Sequence, residues 1–208
     1  MKIFIIIVCI ILVITTLIVV KPNKDIKLES SNVSISSSNI LNQIDEYQQQ
    51  FWTVRKNAQE QINKDNSHNS YKKVQQQINQ FYNKVESNIS KENAYYKQLN
   101  SIQNEYNKSF GNLEEITDLN KLSEEYLNNT QIILNDILNE IRSKKNNDYD
   151  IFAKQQQEWT NDLKLEQEKI KSQDSGDAMT LTYNSSTQEI IKFRIWLLIL
   201  YLENINKN

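Results

Sequence analysis

The 208-residue chain has few of the residues on which turns, disulfides and many catalytic sites depend: two Gly, one Pro, one Cys and one His. Sandwiches and barrels use Gly and Pro in their many turns, so this shortage argues against an all-β fold. Neither Gly has a second one nearby, which excludes a glycine-rich phosphate loop. One Cys and one His cannot build a zinc site, an intrachain disulfide or a Cys/His or Ser/His/Asp nucleophile system. We therefore expect a protein that acts by binding, with no enzymatic activity, cofactor or metal.

An excess of positive charge is also missing. The 24 Lys and Arg residues are balanced by 26 Asp and Glu residues, which gives a formal net charge of −2 at pH 7. Binding of nucleic acid depends on a basic surface that neutralises phosphates. We therefore expect no nucleic-acid partner.

The N-terminal hydrophobic run, residues 3–20, is apolar except for Thr15 and Thr16 and is flanked by Lys2 and Lys21. A helix of this length spans roughly 27 Å, close to the hydrocarbon thickness of a bilayer. The run does not end in the small residues of a signal-peptidase site. We interpret residues 1–20 as a signal anchor that attaches the chain to a bacterial inner membrane by one pass, with the C-terminal body in the periplasm or outside the cell. Cleavage near residue 20, giving a secreted protein, is the alternative.

The remainder of the chain predicts an all-α, antiparallel helical bundle. Residues 21–38 show no periodicity and are interpreted as a flexible linker. Apolar residues then recur every three or four positions, first in a helix over 40–62 and then from 71 to 113. The second stretch is either one long helix or two helices separated at 90–93. Gly111 is a predicted helix stop, and Thr117 or Asp118 a predicted N-cap for the next helix.

Three more helices are predicted within residues 117–204, over 119–141, 148–172 and 187–204, with a polar loop over 173–186. Residues 190–202 are apolar except for Lys192 and Arg194. Thirteen residues with two charges are too short and too polar to span a bilayer, so this stretch predicts a buried core helix. We divide the body into a helical region over 39–116 and a three-helix unit over 117–204.

Short motifs in the three-helix unit are spaced as in a known bacterial envelope family. Leu134-Asn135 is followed at +3 by Leu138, and Gln156-x-x-Trp159 comes one helix later. Gly176 lies in the following loop, and Arg194 precedes a Leu pair in the last helix. These motifs resemble the lysozyme inhibitor LprI-like domain family.

The sequence departs from that family at several points. The family has Tyr where this chain has Leu138, Arg where it has Leu163, and Thr where it has Ile191, and the family's cysteines are absent. An upstream echo, Ile78-Asn79-x-x-Tyr82 followed by Gln103-x-x-Tyr106, suggests a degenerate internal repeat over 39–116. The resemblance implies structural roles for four residues: Asn135, Gln156, Trp159 and Arg194.

The resemblance implies a non-enzymatic envelope protein that inhibits a lysozyme-type muramidase. A muramidase cleft presents two carboxylates and sugar subsites, so an inhibitor needs a projecting segment with donors and short side chains. The predicted loop supplies the candidate partner-binding residues: Asp174, Ser175, Gly176, Asp177, Thr182, Tyr183 and Asn184.

Two further readings concern packing. Arg194 is expected to stack on Trp159, with its fork free for a carboxylate or a helix C-terminus.

The alternative function is a structural or assembly component of an envelope or secretion apparatus, coiled-coil or spanin-like, that packs against another envelope protein. Bulky aromatic residues in the helical stripes, such as Phe51 and Tyr82, favour a compact bundle over a two-stranded coiled coil.

Overall fold

The computed structural model describes residues 37–65, 68–144, 147–173, 176 and 178–207. Within these ranges the chain forms six α-helices and no β-strand, which confirms the all-α prediction. The helices are α1 Ser37–Lys64, α2 His68–Glu86, α3 Ala94–Phe110, α4 Ile116–Lys144, α5 Tyr149–Gln173 and α6 Ala178–Ile205.

The predicted membrane anchor over 1–20 and nearly all of the predicted linker over 21–38 lie outside the described residues. Among the helices of the described ranges, none is both long and apolar enough to cross a membrane. The anchor therefore stays a prediction from the sequence.

The six helices alternate in direction along the chain. Phe51 on α1 stacks on Phe193 near the middle of α6, and Phe152 at the start of α5 stacks on Tyr201 near the end of α6. The amide of Gln155 in α5 donates to the carbonyl of Leu41 in α1. The side-chain amide of Asn93, just before α3, donates to Glu203 near the end of α6 at 3.0 Å. Hence α1, α3 and α5 all begin at one end of the bundle, here called the near end, and finish at the other, the far end.

The last helix is the centre of the bundle. Helix α6 contacts each of the other five helices, and every residue from 190 to 202 is at least nine-tenths buried. A helix that is apolar on all faces has to be enclosed on all faces to leave water. The prediction of a buried core helix over 190–202 is confirmed.

Two clusters of apolar side chains make up the core. The larger cluster draws residues from all six helices. The smaller cluster joins α3, α4 and α6 and consists of Tyr106, Phe110, Leu119, Tyr126 and Leu181. The core thus continues across residues 116 and 117, where the sequence suggested a boundary, and helices α4 to α6 share it with α1 to α3.

The stretch from 71 to 113 contains two helices, which settles the alternative left open by the sequence. Helix α2 ends at Glu86 and α3 begins at Ala94. The side-chain oxygen of Asn93 accepts the N–H groups of Tyr95 and Tyr96 at 3.0 and 3.3 Å, so Asn93 caps α3. The cap satisfies N–H groups that the start of a helix leaves unpaired.

The prediction that Gly111 stops a helix is confirmed, because α3 ends at Phe110 with Gly111 as its C-cap. The predicted N-cap of the next helix was wrong by two or three residues. Helix α4 begins at Ile116, and the N–H of Leu119 donates to the carbonyl of Glu115 at 3.1 Å. Thr117 and Asp118 lie inside the first turn, where the charge of Asp118 suits the positive end of the helix dipole.

The predicted polar loop over 173–186 is wrong for most of its length. Helix α6 begins at Ala178, more than two turns before residue 187, and the N–H of Met179 donates to the carbonyl of Gly176. The polar residues of this stretch are typical of a loop, but in the structure they belong to a helix and pack towards neighbouring helices. Asn184, for example, is 5% exposed. What remains is a short turn around Gly176, whose φ of 107° lies in the left-handed region.

Candidate functional site

Helices α5 and α6 bring together three of the four family-motif residues. The side-chain oxygen of Gln156 accepts two hydrogen bonds from Arg194, from Nε at 3.0 Å and from Nη2 at 2.9 Å. The guanidinium carbon lies 5.6 Å from the centroid of the Trp159 ring. The predicted stacking of Arg194 on Trp159 is therefore present, and Gln156 occupies the fork that was expected to hold a carboxylate or a helix C-terminus.

The guanidinium of Arg194 is a buried charge with a neutral partner. Arg194 is 1% exposed, and none of the described carboxylates lies within ion-pair distance of it. Burial lowers its pKa to about 9, against the field of Asp45, so the group is charged at neutral pH. A buried charge without a counter-charge is costly, and its hydrogen bonds to Gln156 are what offset that cost.

The fourth motif residue, Asn135, lies apart from this cluster. It is exposed on α4 and accepts a long hydrogen bond of 3.4 Å from Gln131 on the same helix. Its neighbour Leu134 is 2% exposed and belongs to the larger core cluster. In this structure the Leu-Asn motif therefore contributes the leucine to the core, and the asparagine to the surface.

The four described candidate partner-binding residues differ in exposure. Gly176 is exposed in the turn, whereas Thr182 and Tyr183 are half-buried on α6. Asn184 is buried and donates to the hydroxyl of Ser123 at 3.0 Å. Asp174, Ser175 and Asp177 lie outside the described residues. Of the four described candidates, only Asn184 is buried away from the surface.

A second polar site, which the sequence reasoning missed, joins α1, α5 and α6. Arg55 forms an ion pair of 2.9 Å with Glu189 and a longer one of 3.8 Å with Glu166. Burial is the largest single effect and would lower the pKa of Arg55, but the fields of Glu189, Tyr82 and Glu166, together with the hydrogen bond to Glu189, outweigh it and the net shift is upward. The available signal was spacing, because Arg55 lies four residues after Phe51 and therefore on the core side of α1.

Aromatic rings surround this ionic site. Phe51 stacks on Phe193 at 4.3 Å between centroids, and Tyr82 lies 5.7 Å from Phe193. Burial raises the pKa of Tyr82 well above its ordinary value, and Glu189 adds to the rise. Lys192 lies over the Trp196 ring at 5.1 Å, and burial lowers its pKa. Glu189 and Glu166 thus offset the charge of Arg55, and the fields of Glu189 and Glu86 offset that of Lys192. Such an arrangement of opposite charges is expected at a site that fixes the positions of helices.

A shallow groove of about 340 Å³ lies on the outside of α1 and α2. Phe81 and Val54 give it apolar character, and polar side chains such as Gln50 and Thr53 also line it. Within the described residues, no group of three or more His, Cys, Asp or Glu side chains could hold a metal ion.

Comparison with protein-family models, curated proteins and solved structures finds no match for this chain. A functional proposal therefore depends on the sequence resemblance and on how the structure arranges the residues that carry it.

Proposed function

We propose that this chain is a non-enzymatic bacterial envelope protein that is attached to the membrane by residues 3–20 and binds a protein partner outside the cytoplasm. Inhibition of a lysozyme-type muramidase is the sharpest candidate activity. The observation that carries this proposal is the contact among Gln156, Trp159 and Arg194. Gln156 and Arg194, which the resemblance picks out, lie 38 positions apart in sequence and meet between α5 and α6.

This contact supports the resemblance for a physical reason. An Arg in a helical core is expensive unless its N–H groups find acceptors and its flat face finds an aromatic ring. Gln156 and Trp159 supply both, which gives the matched residue types a common structural purpose. If the motif matches had arisen by chance in a chain rich in Asn and Gln, the matched residues would have no reason to contact one another.

The direction of the helices suits a tethered binding protein. The chain enters the bundle at the start of α1, which defines the near end. Gln155 contacts Leu41 at that end, and the remaining eighteen residues of α5 carry the chain about 27 Å along the bundle. The Gly176 turn therefore lies at the far end, away from the proposed membrane anchor. A partner outside the membrane would reach this end first.

A turbidity assay tests the proposed activity. The described core begins at residue 40, so a soluble body of residues 30–208 retains all of it. Purified body, added in excess to a c-type lysozyme, is expected to slow the clearing of a bacterial cell-wall suspension. Replacing residues 174–177 with a Gly/Ser linker of equal length should abolish the slowing while helicity stays unchanged. Full-rate lysis with excess folded body would contradict the muramidase proposal.

The rival function is a structural or assembly role, in which the bundle packs against other envelope proteins. Three large apolar side chains on the outer faces of α4 and α5 favour it: Ile132, Ile151 and Leu165 are 50 to 64% exposed. Substituting these three with Ser should release a partner recovered from envelope extract without affecting lysis. Under the inhibitor proposal, the same variant should inhibit as well as the unchanged body.

A further inference from the structure

Three helix ends meet at the near end of the bundle. Lys144, the last residue of α4, donates to the side-chain oxygen of Asn206, just after α6. Phe152 in the first turn of α5 stacks on Tyr201 of α6 at 5.0 Å between centroids, and Tyr149 packs against Phe152. The end of α4, the start of α5 and the end of α6 therefore form one surface. It is called the near-end surface and consists of residues 142–144, 147–151 and 203–207.

Ile151 gives this surface an apolar side chain that is open to water. It is 50% exposed, whereas its neighbour Phe152 is 4% exposed. Side chains of a helix tilt towards its N-terminus, so Ile151, in the first turn of α5, points to the near end. The half-buried Tyr149 is the first residue of the same helix, and a tyrosine ring suits a boundary between apolar and aqueous phases.

The other large apolar side chains that the described residues expose, Ile132 and Leu165, lie far from the near end. Counted along α4 and α5, they are roughly 18 and 24 Å away from it. Ile151 is therefore set apart by its position as well as by its exposure.

The charges of the near-end surface balance one another. The cations are Arg142, Lys144 and Lys207, and the acids are Asp148, Asp150 and Glu203. Of the cations, Lys144 pairs with Glu140 at 3.3 Å, while the exposed Arg142 and Lys207 pair with none of the described carboxylates. The surface is therefore not strongly repelled by anionic lipid headgroups, and two of its cations are open to contact with headgroup phosphates.

The length of chain before α1 limits how far this surface can lie from a bilayer. The proposed anchor ends at residue 20 and α1 begins at Ser37, at the near end, so residues 21–36 make the whole connection. A random coil of sixteen residues has an r.m.s. end-to-end distance of roughly 20–24 Å. So short a connection gives the near-end surface a high effective concentration beside the membrane, and a weak contact is then sufficient.

We propose that the near-end surface lies against the bilayer, with Ile151 inserted at the level of the lipid headgroups and Arg142 and Lys207 beside their phosphates. The inference rests on the proposed attachment by residues 3–20 and adds a second contact, which orients the body. Helix α5 then extends away from the membrane, and its 25 residues place the Gly176 turn about 37 Å from the near end.

Fluorescence quenching of the full-length chain in lipid vesicles tests this contact. The single Cys of the chain is removed by Cys9→Ser, and a fluorophore is attached after Ile151→Cys or, as the matched control, Leu165→Cys. The vesicles contain phosphatidylcholine, phosphatidylglycerol and a lipid with a nitroxide quencher near its headgroup. Position 165 lies roughly 21 Å further along the helix, and insertion reaches only about 5–10 Å, so quenching at position 151 should be at least about twofold greater.

A second pair of variants tests whether Ile151 itself makes the contact. The fluorophore is moved to the exposed turn before α5 by Asn147→Cys. Ile151→Ser should then lower the quenching by about twofold or more, because it removes the apolar group that enters the headgroup layer. Leu165→Ser deletes an equally exposed apolar side chain at the other end of α5 and should leave the quenching unchanged. Circular dichroism confirms that both variants keep their helices.

Flotation of the vesicles separates this inference from the proposed attachment. A chain that does not float with the vesicles contradicts both. If the chain floats, but positions 151 and 165 are quenched equally or neither is quenched, the attachment holds and the contact of the near-end surface is overturned. Equal quenching of the Ile151→Ser and Leu165→Ser variants also overturns the contact.

Discussion

Two arginines that contact the core, the partly buried Arg55 and the fully buried Arg194, are surrounded by different groups. Arg55 is surrounded by two carboxylates from different helices, whereas Arg194 has a neutral amide and an indole ring. The first arrangement balances charge across three helices, and the second offsets a charge by hydrogen bonds and stacking within one helix pair. We therefore expect the stabilisation at Arg55 to depend on its two carboxylate partners, and the stabilisation at Arg194 to depend on the Gln156 acceptor and the Trp159 ring of α5.

The largest expected effect is at the ring under Arg194. Trp159→Ala should destabilise the body by about 3–5 kcal/mol, because it leaves a cavity and removes the flat surface on which the guanidinium lies. Trp159 is 3% exposed, so little of that loss is recovered by hydration. Urea unfolding followed by circular dichroism measures it. A variant as stable as its parent would mean that the ring contributes no packing.

Removing the acceptor of Arg194 comes next. Gln156→Leu should cost about 2–3 kcal/mol, since it leaves two N–H groups of a buried cation without a partner. Gln156→Glu is the matched control, which keeps the acceptor and adds a counter-charge. At pH 7 its stability should equal or exceed that of the parent. If Leu and Glu are equally tolerated, Arg194 has another partner.

Replacing each arginine with a neutral residue compares the contributions of the two sites to stability. Arg55→Met should destabilise the body by about 2 kcal/mol, because Glu189 then lies partly buried without its ion-pair partner, while Glu166 keeps Lys169 at 3.4 Å. Arg194→Met should change stability by less than about 1 kcal/mol or increase it, since no described carboxylate loses a partner. Thermal unfolding of the two variants at pH 7 gives the comparison, and equal losses would contradict it.

The smallest expected effect is a loss of stability that occurs only at alkaline pH. Burial raises the pKa of Tyr106 to about 12, against about 10 for a tyrosine in an unfolded chain. The neutral side chain therefore contributes stability that is fully present below pH 10 and is lost as the pH rises towards 12. Tyrosinate absorbance followed together with helicity measures this loss. Tyr106→Phe should make stability less dependent on pH over that range.

The fold was predictable where local pattern and burial agree. The helical stripe over 40–62 and the apolar run over 190–202 follow from the pattern of apolar residues, and the stop at Gly111 follows from the preference for Gly after a helix. The stack of Arg194 on Trp159 was expected from the residues that the resemblance picked out. Residues 178–186 were misassigned because Thr, Ser and Asn favour loops by local hydrogen bonding, and here tertiary contacts override that preference. The pairing of Asn184 with Ser123, 61 positions earlier, is one such contact.

The ionic site could not be predicted for a different reason. Arg55 and Glu189 lie 134 positions apart, and each has oppositely charged residues much closer in sequence. The two residues meet only because the six helices run in alternating directions, which brings Arg55 of α1 beside Glu189 of α6. Which of many surface-like charges becomes buried is decided by the packing of whole helices, and periodicity does not record it.

The two glycines differ in how far their positions can vary. Gly111 has a φ of −67°, and a β-carbon there would meet only the carbonyl oxygen of Asn107 at 3.8 Å, so position 111 is open to most residues. Around Gly176 there is space for a side chain, yet its φ of 107° strains any residue that has one. Relatives of this chain should therefore vary freely at the first position and keep Gly at the second.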